Sequence, residues 1–329
     1  MAIIFILKTG ATLVGQSLSA KILVFPFHHA PLFDRINRQQ KMVLARWIEE
    51  VDPTAVIVDE SVEIIQYLRL LGVPVIAIRQ HGDRSDFPHL CGYSSAYKLL
   101  APFPKILESS STSQWAIDRT IYVPGFSRYS LNNLSKGEAR AKLDIQPQHQ
   151  IAVVLNGKSK GRYLLSEIAA AATASPEWIW FVVGQVRRDC SSLPANLSVL
   201  GWRKDIYVYL KAADIAIASG EHNTMMEIGT AKTPFLCIPD DKPFEEQRLE
   251  AELLESFGLC LVLDFFPQGD LVGSILNRVR ALNVTKWEQI MSVSGAAVAA
   301  SNIESEVKLL NLQANALKIE CHRSILINK

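Results

Sequence analysis

Short apolar, β-branched runs recur along the chain, at 3–7, 22–25, 55–58, 73–78, 121–123, 151–155, 178–183, 197–200, 215–218, 235–238 and 259–263. Each is apolar on both faces, and amphipathic stretches such as 39–51 and 243–257 lie between them. That alternation predicts parallel strands covered by helices, an α/β architecture wound twice. Between 123 and 150 the composition shifts to Gly, Pro, Asn, Ser and Gln, with one short helical pattern near 135–143, which marks a linker with a domain on each side. Strand signals stop beyond Ala281, and two helical stretches, 286–300 and 304–319, follow. The expected organisation is an N-terminal domain over 1–125, a second domain over 126–285 and a helical tail over 286–329.

Length agrees with two domains, since 329 residues exceed the roughly 150 residues of one domain by about twofold. Charge narrows the partners: Lys+Arg (34) and Asp+Glu (33) nearly cancel, so no global field draws in nucleic acid or an anionic membrane. No nucleic-acid partner is expected. The five cysteines are scattered without CxxC spacing, which argues for a reducing compartment and against a zinc knuckle, and no metal is expected. The run at 3–7 is too short for a membrane span and lacks a basic flank, so it is read as a first strand of a cytoplasmic protein.

Candidate chemistry clusters after the predicted strands of the second half, where open parallel sheets bind ligands. "LNGKSKG" (155–161) follows one strand. Its Gly157 and Gly161 let the backbone approach a ligand, and Lys158 and Lys160 suit a phosphate, although an ordinary strand-to-helix turn has the same composition. "SGEHNTMMEIG" (219–229) follows another. There Ser219 and Gly220 make the turn, while His222, Asn223 and Thr224 sit where the first helical N–H groups face an anion. Glu227 lies one turn on, about 6 Å along the axis, the spacing of a nucleotide's distal phosphate from its ribose, and a carboxylate accepts from both ribose hydroxyls. Asn223 as a plain cap and Glu227 as a solvated acid is the alternative. "IPDDKPFEEQRLEAELLESFG" (238–258) places Asp240, Asp241 and Gln247 at the same crevice, and "LGWRKDI" (200–206) offers backbone amides to a base edge, with Arg203 and Lys204 equally at home in a solvated turn.

Taken in order, "YVPGF", "VVLNGKSKG", "LGWRKDIYVYLKAADIAIASGEHNTMMEIGTAKTPFLCIP" and "EEQRLEAELLESFG" resemble the nucleotide-sugar-binding domain of GT-B glycosyltransferases. The nearest likeness is to the N-acetylglucosaminyltransferases of lipid II synthesis (glycosyltransferase family 28, C-terminal domain), and it covers about 121–265. The resemblance implies two Rossmann-like domains whose parallel sheets face each other across a cleft. It places Gly157, Ser159 and Gly161 toward the diphosphate, Arg203 to Ile206 beside the uracil, Ser219 to Thr224 on phosphate, Glu227 on ribose and Gln247 on the donor sugar. It implies a UDP-sugar donor, a glycan or lipid-linked acceptor, no cofactor and no catalytic metal.

The first half matches less closely. "PTAVIVDESVEIIQYLRLLGVPVIAIRQHGDRSDFPHLCGYSSAYKLLAPFP" (53–104) resembles the acceptor side of the family, placing Gln80, His81, Asp83, Arg84 and Asp86 along the cleft. The family usually opens with a glycine- and histidine-rich loop, whereas "IFILKTGATLVGQ" supplies Gly10 and Gly15 and no histidine, so the N-terminal domain is expected to be shortened. An inverting transferase needs a general base near the acceptor hydroxyl; the candidates are His81 or Asp83, then His28 and His29. The expected function is inverting transfer of a sugar, N-acetylglucosamine by resemblance, from a UDP-sugar to its acceptor. A UDP-sugar hydrolase or epimerase on the same fold, and a nucleotide-sugar-binding subunit completed by a partner, stay open beside it. The resemblance also leaves room for peripheral attachment at the inner face of the membrane, which no basic amphipathic stretch supports.

Overall fold

The structure is a computed structural model that describes residues 6–8, 27–157 and 163–327, with the backbone alone for 6–8 and 317–327. The expected strand at 22–25 lies outside the described residues. The chain divides into two compact units: Met1–Pro102, Ser110–Val123 and Ala296–Lys329 make one, and Phe103–Ser109 with Pro124–Gly295 the other.

Among the described residues the first unit holds five strands of one sheet, parallel and in chain order: β1 (Ile6–Lys8), β2 (Val56–Asp59), β3 (Val75–Ile78), β4 (Lys98–Ala101) and β5 (Thr120–Tyr122). Its helices are α1 (Arg35–Val51), α2 (Val62–Leu70), α3 (Phe87–Ser95) and α4 (Gln114–Asp118). Both faces of β2 are buried, as a parallel strand between helix layers requires. Val56, Val58, Val75, Ala77 and Leu99 form the core with Ile65 and Leu68 of α2, and α1 lays Leu44, Trp47 and Ile48 against it. Ser61 caps α2 on the Ile64 amide and Asp86 caps α3 on the His89 amide, each cap worth about 1 kcal/mol. β4 escaped the hydrophobic pattern because its run is short and follows α3 without Gly or Pro to separate them.

The second unit contains β6 (Gln150–Asn156), β7 (Trp178–Gly184), β8 (Leu197–Gly201), β9 (Ile215–Ala218), β10 (Phe235–Cys237) and β11 (Cys260–Val262), all parallel, in the order β11-β10-β9-β6-β7-β8. Helices α5 (Lys136–Lys142), α6 (Leu165–Thr173), α7 (Ile206–Ala212), α8 (His222–Ala231), α9 (Glu246–Ser256) and α10 (Leu271–Arg280) flank it. Trp178 and Trp180 are buried in its core with Ile217, Leu236 and Leu276. Trp180 keeps its indole N–H satisfied on the Ser175 hydroxyl at 3.1 Å, so the large ring is buried without an orphaned donor.

The last helix, α11 (Gly295–Ile327), is continuous, where the sequence suggested two stretches starting at 286 and 304; residues 284–289 form a separate 3₁₀ turn. The polar run near 301–305 does not break it, because Asn302 and Ser305 bond back to the carbonyls of Val298 and Ser301. Ala299, Ile303, Val307 and Leu310 are buried along one stripe, and Glu306 accepts from Tyr97 (3.0 Å) and pairs with Lys98 (3.6 Å). From Ala296 the helix is thus part of the first unit. Among the described residues, no helix is long and apolar enough to cross a membrane.

Candidate functional site

In the second unit β6 and β9 are neighbours although β7 and β8 separate them in the chain. Connections leaving these two strands run to opposite sides, which opens a crevice at their carboxyl ends. A pocket of about 380 Å³ lies there, within the size range of small-molecule sites. Its floor is the end of β6 (Leu155, Asn156, Gly157) and the end of β7 (Val183, Gly184). Gly184 has φ +103°, and a Cβ there would lie 1.7 Å from the Asn156 carbonyl oxygen, so no other residue fits. One wall is Trp202, Arg203 and Ile206, and the other is Ser219, Glu221, Thr224 and Glu227.

The second wall is the stretch 219–229. Gly220 packs its backbone on Gln247, where a Cβ would meet the Gln247 carbonyl at 2.7 Å. α8 starts at His222 without a side-chain cap, so its first-turn amides lack intrahelical acceptors at the pocket wall. Glu227 is held on the same helix, its carboxylate 12% exposed and paired with Arg128, Nε to Oε1 at 2.8 Å. Burial pushes its pKa up and the Arg128 guanidinium pulls it back, with a net rise. Arg128 is itself 65% exposed and lies over the Tyr129 ring, and its loop is tied to α8 by the Ser127–Thr230 hydroxyl contact of 2.8 Å. Among the described residues, Arg128, Arg203, Glu221 and Glu227 are the charged groups that line the pocket.

The expected donor residues divide by position. Gly157, Arg203, Ile206, Ser219, Thr224 and Glu227 line the pocket. Arg203 is clamped by Asp205 at 3.0 and 3.1 Å and sits over Tyr209. Gln247 is buried, and its side-chain oxygen accepts from the amides of Gly220 (3.0 Å) and Asp240 (2.9 Å), tying the loops after β9 and β10 together. His222 turns toward α9, its Nδ1 2.7 Å from Glu250 Oε1; burial lowers its pKa, Glu250 raises it, and the rise prevails. Asn223 and Asp241 are exposed. Ser159 and Gly161, with Lys158 and Lys160, lie outside the described residues.

The residues expected on the acceptor side follow β3 in the first unit. His81 is buried and its carbonyl accepts from Arg84 Nε at 3.1 Å. Asp83 is exposed and held below the ordinary carboxylate range by the Ser85 hydroxyl and amide. Gln80 bonds Glu60 and accepts from Arg84 at 3.4 Å, and Asp86 is engaged by His28 (2.7 Å) and by His89.

Sequence reasoning gave no ligand role to Arg128, Leu155, Asn156, Val183, Gly184 or the Trp202 side chain among the pocket residues. The signal for Trp202 was present: a bulky aromatic directly after a strand-ending glycine, 61% exposed in the structure. Arg128 had none, because it comes from the linker and meets Glu227 across 99 positions.

Solved structures share this architecture at low sequence identity. A structure of MurG from Acinetobacter baumannii covers 83% of this chain and 77% of its own at 16% identity, with a TM-score of 0.57. The spinosyn forosaminyltransferase SpnP gives 18% identity over 85% and 84%, with a TM-score of 0.59, and the calicheamicin glycosyltransferase CalG4 gives 14% over 86% and 82%, with 0.55. The fold is GT-B. No family model matches the chain. Sequence relatives of the GT-B chain include an uncharacterized glycosyltransferase of Methanosarcina acetivorans, 30% identical over 140 residues, and one of Methanosarcina mazei, 34% identical over 89 residues. The first match takes in 42% of this chain and 36% of the relative, the second 27% and 23%. The chain therefore spans about a third or less of the curated relatives it matches.

Proposed function

We propose that the chain is an inverting glycosyltransferase that takes a sugar from a UDP-sugar and passes it to a glycan or lipid-linked acceptor. The observation that carries this reading is Glu227, an acid on α8 lining the same pocket as the uncapped start of that helix. The helix amides and dipole hold the diphosphate, Glu227 accepts from the ribose hydroxyls, and Trp202 offers a face to the base. Arg128, which lines the same pocket and pairs with Glu227, gives way from it when the pentose takes the carboxylate.

Transfer then follows from electrostatics. The acceptor oxygen attacks the anomeric carbon as its bond to the diphosphate breaks, and the amides of α8 stabilise the charge gathering on departing UDP. A base on the acceptor side, His81 or Asp83, removes the acceptor proton. Curated relatives described as glycosyltransferases and solved structures of glycosyltransferases support the reaction class.

A thermal-shift screen against UDP, TDP, GDP and several UDP-sugars tests it. Uridine nucleotides should raise the melting temperature of the wild type and leave Glu227→Ala unmoved. Equal shifts in both proteins would remove ribose recognition from this pocket, and no shift with any nucleotide would remove the donor altogether.

A further inference from the structure

A cluster in the first unit takes no part in the donor reading. His28 Nε2 lies 2.7 Å from one oxygen of Asp86, and His89 Nδ1 bonds the other. The three ligand-capable atoms lie within 4.8 Å of one another, and the two imidazole rings are 4.6 Å apart. Backbone anchors create this convergence. Glu63 accepts from the amides of His28 (2.7 Å) and His29 (2.8 Å) and is itself bonded by the Ser61 hydroxyl at 3.1 Å. Asp86 caps α3 on the amide of His89 at 3.3 Å. The segment bearing His28 is therefore fastened to the start of α2, and the other two ligands belong to the first turn of α3.

We propose that His28, Asp86 and His89 bind one divalent transition-metal ion of the zinc type. Two imidazoles and a carboxylate are the ligand set that such an ion accepts, at about 2.0–2.2 Å, with a fourth position left for water. Loading would draw the ligand atoms to roughly 3.3 Å from one another, a closure that side-chain rotation supplies. Ligation needs an ionised carboxylate and neutral rings. One group opposes the ion: Arg84 Nη1 is 3.4 Å from His89 Nε2. Coordination through Nδ1 puts the ring proton on Nε2, facing that guanidinium. Arg84 therefore sets the affinity. Cysteine spacing gave no hint of such a site, since its first two ligands are 58 positions apart.

The full chain, stripped with a chelator, would be titrated with Co²⁺ and followed by its visible ligand-field absorption, and Zn²⁺ stoichiometry would be measured by equilibrium dialysis. One ion per chain is expected. His28→Gln and His89→Gln should each weaken binding by at least about 100-fold, because outer-shell changes alone cost roughly 10–100-fold, and Arg84→Ala should tighten it several-fold. A melt of metal-free His28→Gln that matches the metal-free wild type separates loss of a ligand from loss of fold. Absence of saturable binding in the wild type overturns the proposal, as does one-ion binding with unchanged affinity in both histidine variants. Neither result touches the donor site, which lies in the other unit and is tested by nucleotide.

Discussion

The two sheets end differently. At the carboxyl ends of β6, β7, β8 and β9 in the second unit, polar groups line an open space: Asn156, Arg203, Ser219, Thr224 and Glu227 surround about 380 Å³. After β3 in the first unit the polar groups are drawn onto one another, Gln80 to Glu60, Arg84 to the His81 carbonyl and to His89, Asp86 to two histidines. Topology accounts for part of this. Among the described residues the strands of the first sheet run in chain order β1 to β5, whereas the second sheet reverses between β9 and β6. A reversal keeps neighbouring loops apart and leaves a crevice.

The floor of the crevice is where this contrast can be broken most severely. Gly184→Ala places a methyl group against the Asn156 carbonyl at a backbone angle of +103°. It should cost about 4 kcal/mol, from roughly 1–3 kcal/mol each for overpacking and for backbone strain. The expected fall in melting temperature is roughly 8–16 °C, measured by thermal unfolding without ligand. A loss below about 1 kcal/mol would mean that the β6 and β7 ends can separate, and that the pocket is not built on their close approach.

Trp202 sharpens the comparison from the ligand's side. If its exposed ring is a platform for the base, Trp202→Ala should weaken nucleotide binding by about 2 kcal/mol, roughly 30-fold. Pyrophosphate alone should bind both proteins equally in calorimetry. Equal weakening of pyrophosphate would place the tryptophan in the support of the loop instead.

The closed cluster of the first unit has a pH signature of its own. Unfolded His89 takes up a proton near 6.5, whereas folded His89 does so only near 4. Between those values the unfolded chain holds more protons, so stability falls as the pH drops from 6.5 toward 4. Asp86 adds to the loss at the acid end: burial raises its pKa, but its bonds from His89 and His28 prevail and hold it below the ordinary value. In denaturant titrations across this range, His89→Gln should flatten the profile by about 1–3 kcal/mol, the upper figure being the full linkage at roughly 1.4 kcal/mol per pKa unit and the lower allowing for solvent screening. An unchanged slope would show that His89 is not the group whose protonation is suppressed.

The same contrast explains how much was legible in the sequence. Parallel α/β winding was readable because Ile151–Leu155 and Ile215–Ala218 are apolar on both faces, as strands between helix layers must be. The wall formed by 219–229 was readable because its glycine, its helix start and Glu227 are neighbours in the chain, and helical spacing alone puts them on one side. Arg128 was not, since its meeting with Glu227 depends on the path of the linker. The Asp86–His28 contact likewise depends on Glu63 holding a distant segment. Gln247 was placed at the crevice, but the amides of Gly220 and Asp240 take its oxygen, a consequence of tertiary packing that composition does not encode. β4 was lost because four residues beside a helix carry too little period to be distinguished from it.

The central claim is that Glu227 clasps a pentose, and a cycle of ligand and protein changes tests it most directly. Calorimetry would compare UDP with an analogue lacking both ribose hydroxyls, on the wild type and on Glu227→Ala. Two hydrogen bonds to a charged acceptor should make the wild type prefer UDP by about 3 kcal/mol, and that preference should vanish in the variant. A wild type that binds both ligands equally, or a variant that keeps the full preference, would contradict the assignment.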